Sequence, residues 1–128
     1  MPTYSFAVPI LPGKIESWRK YVQELNGPRW DEYRRSRQRI GLNVEQVWLQ
    51  NTPDGDQCIV RMETDNPTKV FEYFRTSQEP FDTWFRDKIL VECHGMDLSE
   101  PITATNEQVL NYTGQPVAEK TYADTKKR

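Results

Sequence analysis

The chain predicts an α+β fold ordered strand, helix, strand, strand, helix, strand, with a four-stranded antiparallel sheet and helices on one face. Three observations carry that prediction. Bulky apolar residues alternate at Tyr4, Phe6, Val8 and Ile10, the period of a strand with one buried face. Two apolar runs flank a Pro-Asp-Gly turn at Pro53–Gly55, which marks a hairpin. Between and after them, apolar residues recur at helical spacing.

Pro9 lacks an N–H and belongs at a strand end or edge, and Pro12-Gly13 breaks the chain. Ile15, Trp18, Val22 and Leu25 then form one helical face that stops at Asn26-Gly27-Pro28. A second helical run, Arg29 to Ile40, places Trp30, Tyr33, Arg37 and Ile40 on one stripe before Gly41. The two runs read as one bent helical crossover. The hairpin strands are Val44–Gln50 and Gln57–Glu63. Asp65-Asn66-Pro67 starts a helix bearing Val70, Phe71 and Phe74. After Pro80 another helix carries Phe81, Trp84, Phe85 and Ile89, and it ends near Cys93-His94-Gly95. Glu107–Thr113 is expected as the closing strand. Residues 1–114 therefore form one domain, and 115–128 form a polar tail that is mobile or associated with a dimer partner.

Composition narrows the function classes. The 128 residues are 36% hydrophobic and 28% charged, with a mean hydropathy of -0.84, yet 12% are aromatic. Each aromatic side chain buries roughly 150–250 Å², so a core is attainable, completed by a second subunit. No stretch has the length of a membrane span, and Met1–Phe6 has no signal-peptide pattern, so a cytoplasmic, membrane-free protein is expected. Cys58 and Cys93 are too few for a disulfide framework and read as reduced thiols. Five arginines lie between Arg29 and Gly41 against Asp31 and Glu32, but net charge -2 and a pI near 5.5 oppose a nucleic-acid partner. That run reads as a solvated helix face with ion-pair partners. The sequence contains no phosphate loop, nucleophile elbow or metal-ligand spacing.

In the hairpin, Trp48 is out of phase with Val47 and Leu49, and Ile59 with Cys58, Val60 and Met62. Trp48 and Ile59 thus fall on the sheet face that the helices leave uncovered, a candidate homodimer interface. The other face of the sheet and the helices bound a candidate small-ligand pocket lined by Trp84, His94, Phe81, Tyr4, Arg61 and Glu63. Trp84 and His94 are ten residues apart, which on a continuous α-helix is about 80° short of three turns, so they lean toward neighbouring sides. His94 also precedes Gly95, which alone would make it a surface residue at a helix end.

The element order, with Pro80-Phe81-Asp82-Thr83-Trp84-Phe85 leading into Cys93-His94, resembles the dimeric α+β barrel superfamily, a ferredoxin-like group. That superfamily includes antibiotic-biosynthesis-type and haem-degrading monooxygenases and small bacterial families of unassigned reaction. The resemblance spans roughly residues 3 to 113 and rests mainly on topology. It implies a homodimer and a small partly apolar ligand held between sheet and helices. As alternatives it implies a monooxygenase, cofactor-free on an aromatic substrate or haem-dependent with His94 as axial ligand and Trp84 as a wall. A third alternative is a structural dimer without a site. The first-strand Asn of the haem-degrading members has no counterpart in Tyr4–Leu11.

Overall fold

Alternation along Thr3–Pro9 forms strand β1, whose residues Tyr4, Phe6 and Val8 turn inward while Thr3, Ser5 and Ala7 turn out. A computed structural model describes residues 2–102 and 106–114. Helices α1 (Ile15–Leu25) and α2 (Trp30–Arg39) follow, then strands β2 (Val44–Thr52) and β3 (Gly55–Glu63), and helices α3 (Pro67–Thr76) and α4 (Pro80–Phe85). A π-helical segment, Arg86–Cys93, continues α4. The sheet has three antiparallel strands in the order β1-β3-β2. This α+β arrangement is compatible with a ferredoxin-like fold. Among the described residues, no helix is long and apolar enough to cross a membrane.

The hairpin is tighter than the sequence implies. Thr52 pairs with Gly55, so only Pro53 and Asp54 form the loop. The Thr52 hydroxyl donates to the Gly55 carbonyl at 2.6 Å and accepts from the Asp54 N–H at 3.2 Å. Gly55 has φ 132°, a conformation that residues with a Cβ rarely adopt. The expected single crossover is two helices, because Gly27-Pro28 interrupts the backbone ladder after Leu25. Asn66 caps α3 by accepting from the Lys69 N–H at 3.0 Å, with Pro67 in the first turn.

The helix-side face of the sheet (Phe6, Val8, Cys58, Val60, Met62) packs against Trp18, Val22, Val70 and Phe71. A third cluster, Phe81, Phe85 and Ile89 with Tyr33 and Trp84, joins α2 to α4. The opposite face carries Ala7, Ile59 and Trp48 in one row across the three strands, and Trp48 is 52% exposed.

The expected fourth strand is not formed. Residues 106–114 make no ladder, and Val109, Leu110 and Tyr112 are more than four-fifths exposed. The segment reaches the sheet at one point, where Asn106 Nδ2 donates to the Ser5 carbonyl. Pro2 and Ile10 both bond across to β3, so Thr3, Ser5 and Ala7 turn their backbone groups to the outer edge where Asn106 sits. Gln108 and Asn111 interleave with the apolar residues, so little apolar surface offsets the cost of ordering the segment. The tail from 115 onward lies outside the described residues.

Candidate functional site

Between the sheet and the helices lies a cavity of about 230 Å³. Its walls are mainly apolar: Phe6, Val47 and Val60 from the sheet face Phe71, Phe85 and Ile89 from the helices. Two polar groups of residues bound it. Cys58 and His94 stand at one end of β3, and Glu45 stands opposite Met62 toward the other, with Leu49 paired to Cys58. Four residues of strand separate Glu45 from Leu49, roughly 13 Å.

His94 is positioned by the π-helical segment. Its N–H bonds to Ile89 O at 3.2 Å, five residues back, and Leu11 N–H ties to Cys93 O at 2.8 Å. Each π turn takes up about one residue more than an α turn, so the α-helical phase between Trp84 and His94 is lost. Gly95, at φ 66°, then turns the chain away where a Cβ would press on Leu11 at 3.1 Å. His94 thus ends the helical segment, as the sequence implies, but is buried against the sheet rather than on the surface.

The imidazole has one tautomer that fits. Nδ1 lies 2.7 Å from the Pro9 carbonyl, which only accepts, so Nδ1 carries the proton. Nε2 lies 3.2 Å from Trp18 Nε1, which only donates, so Nε2 offers its lone pair. Cys58 Sγ is 3.7 Å from the same nitrogen. Burial holds the His94 pKa below its ordinary value, against an opposing pull from the Pro9 hydrogen bond. Burial, with a contribution from the Glu45 charge, pushes the Cys58 thiol up to about 11, so it is not a nucleophilic thiolate. The arrangement does not fit haem: the nitrogen that would ligate iron already accepts from Trp18, and the other is held by Pro9. Among the described residues, no group of three His, Cys, Asp or Glu side chains is placed to hold a metal.

The second polar group is a buried ion pair. Arg37 Nε donates to Glu45 Oε1 at 2.7 Å, and the Tyr33 hydroxyl donates to the same oxygen at 2.6 Å. The Arg37 guanidinium lies over the Tyr33, Phe74 and Phe85 rings, 4.8, 4.9 and 4.4 Å from their centroids. Its Nη1 donates to the Ser36 hydroxyl at 3.1 Å, whereas Nη2 has no hydrogen-bond partner although it is buried. Behind it Ser36 donates to Asp82 at 2.5 Å, and Asp82 also receives Ser77 and Arg39. Burial raises the Tyr33 phenol well above its usual range, helped by the Glu45 charge, so it stays a donor. Burial favours the acid form of Asp82, but bonds from Ser36, Tyr73, Ser77 and Arg39 outweigh it and hold the carboxyl below its usual range. Glu45 is the carboxylate residue among those that line the cavity. Its Oε1 is committed to Arg37 and Tyr33.

No family model matches this chain, and the curated proteins and solved structures give no match. Its own geometry therefore carries the functional reading.

Of the residues named from sequence, His94 lines the cavity. Phe81 is buried in the helix cluster, and Trp84 packs on Tyr21 at 5.8 Å with Arg29 stacked 4.1 Å above its ring. Tyr4 faces the helices but packs with Met62 and Val70 beside the cavity. Arg61 and Glu63 lie on the opposite face of the sheet, ion-paired to each other at 2.5 Å, because both are out of phase with Cys58, Val60 and Met62. Sequence reasoning missed Glu45 and Trp18 as cavity-lining residues, and Arg37 as the partner of Glu45 behind the wall. Arg37 sat on the inward stripe with Tyr33 and Ile40, and Glu45 was in phase with Val47 and Leu49; charge at an inward position was the available signal. The rest of the arginine run follows the ion-pair reading in part: Arg29 bonds Glu24 and Glu32, and Arg34 pairs with Asp31 at 3.7 Å.

Proposed function

We propose that this chain binds a small, uncharged, mostly apolar molecule of one or two fused rings between its sheet and helices. The observation that supports this reading is the cavity of about 230 Å³, walled by aromatic and aliphatic side chains. An apolar protein cavity of roughly 150 Å³ takes benzene, so a bicyclic compound is the matching size. Naphthalene serves as the probe. Calorimetry is expected to show saturable binding, and Val47→Trp, which fills the cavity from its exposed rim, to weaken it at least about tenfold. Absence of saturable binding, or an unchanged affinity in Val47→Trp, counts against the reading.

We further propose that the chain works as a homodimer of the dimeric α+β barrel type, with the 107–113 segment as a fourth strand added to the outer edge of β1 once a second subunit covers it. The row Ala7–Ile59–Trp48 on the uncovered face supports the interface, since large exposed aromatics are enriched at such surfaces. Light scattering at micromolar concentration is expected to give the dimer mass, and Trp48→Glu the monomer mass. A monomeric wild type would sink this reading and leave the cavity untouched.

A further inference from the structure

We propose that the ligand carries a neutral carbonyl oxygen, and that Arg37 Nη2 is the donor that selects it. This rests on the cavity reading above and adds the chemistry that reading leaves open. Arginine offers five N–H donors and no acceptor. Here Nε is used by Glu45 and Nη1 by Ser36, and Nη2 is the buried side-chain nitrogen or oxygen left without a partner among the described residues. Such a group is rare and costly to leave unmade, so it points to a partner of the acceptor type.

The guanidinium stands directly behind the cavity wall. The three rings that sandwich it, Tyr33, Phe74 and Phe85, all line the cavity, as does Glu45. Tyr33 is tethered to Glu45 and Phe85 is buried, whereas Phe74 is half-buried, stacked on Arg37 and Phe85 and packed at the margin of the Ile40, Leu42, Met62, Val70 and Phe71 cluster. The proposal requires Phe74, the half-buried member of the three, to move aside for a ligand oxygen to reach Nη2.

Charge decides which acceptor fits. Arg37 and Arg39 face Glu45 and Asp82, two cations and two anions. A carboxylate or phosphate would add an uncompensated negative charge beside Glu45 in an apolar space, at a large desolvation cost. A ketone or aldehyde oxygen accepts from Nη2 without that cost. Arg37 is thus a specificity-determining residue for carbonyl over hydrocarbon.

The test compares 2-acetylnaphthalene with 2-isopropenylnaphthalene, which replaces the carbonyl oxygen by a methylene of the same shape, and with 2-naphthoate. Calorimetry on the full chain is expected to show the ketone binding about tenfold more tightly than the alkene, with naphthoate weaker than the ketone. Equal affinity for ketone and alkene overturns the carbonyl assignment and leaves the cavity reading standing. Failure of both to bind overturns both. The double variant Arg37→Met with Glu45→Met removes the whole pair, and its ketone-to-alkene affinity ratio is expected to fall to about one. Should that variant not fold, Arg37→Lys keeps a cation for Glu45 without the forked donor and is expected to show the same collapse. A ketone preference that survives in the variant measured overturns the role of Arg37.

Discussion

Replacing Arg37 by methionine is expected to destabilise the protein by about 3–5 kcal/mol, because removing one partner of a buried ion pair strands the other. Glu45 would keep the Tyr33 hydroxyl but lose its only described cation, at a side-chain exposure of 11%. Ser36 would lose its Nη1 donor, and the Tyr33, Phe74 and Phe85 rings would close on a side chain without charge. Adding Glu45→Met to this variant is expected to recover most of the loss, since exchanging both ions for apolar groups of similar volume is often neutral or stabilising. Urea denaturation of the two single variants and the double variant gives the coupling directly. Arg61→Met is the control. Its pair with Glu63 is shorter, at 2.5 Å against 2.7 Å, but those side chains are 36% and 25% exposed. Water and salt screen it, and the expected loss is below about 1 kcal/mol. If Arg37→Met cost no more than Arg61→Met, burial would not be what gives the Arg37–Glu45 pair its weight.

The sequence showed most clearly what period and turn chemistry encode. The Pro53–Gly55 turn, the inward phase of Cys58, Val60 and Met62, and the outward placement of Trp48 and Ile59 all follow from alternation, and the structure has them. The α1 and α3 stripes follow from helical spacing in the same way. What stayed hidden depends on non-local contacts. His94 does end the helix, as its place before Gly95 implies, but it is buried rather than on the surface: nothing in Arg86–Cys93 announces a π-helix, and Cys93 is tied to Leu11 beside the sheet. Arg37 was legible as an inward residue, but its partner Glu45 lies on another element, and a charge-pair cluster is visible only once α2 and β2 are packed. The reverse error occurs at 107–113. Local pattern favours a strand there, yet Val109, Leu110 and Tyr112 stay more than four-fifths exposed, so pairing would bury little apolar surface.

Lowering the pH is expected to destabilise the protein through His94, and the direction follows from its two partners. A proton added to Nε2 would point at Trp18 Nε1–H, donor against donor, with only the Cys58 sulfur as a weak acceptor nearby. Charged groups offer little relief. Glu92, two residues away, is turned to Tyr21, Lys14 and Lys88, and Glu45 is engaged by Arg37. The folded-state pKa is therefore below the ordinary 6.5, as burial dictates. The sign follows from linkage: between the two pKa values the unfolded chain holds more protons than the fold. Stability is then undiminished above about pH 6.5 and is lost progressively as the pH falls from there to the lower folded value. In His94→Asn the slope between pH 7 and 5 is expected to flatten, because the titrating group is gone while an amide can still donate and accept. His94→Ala removes both hydrogen bonds, leaving Trp18 Nε1–H and the Pro9 carbonyl unpaired, and is expected to cost about 2–5 kcal/mol at neutral pH. Thermal melts of wild type and both variants across that range separate the two effects. A wild-type slope that persisted unchanged in His94→Asn would place the titration on another group and overturn the neutral-imidazole account.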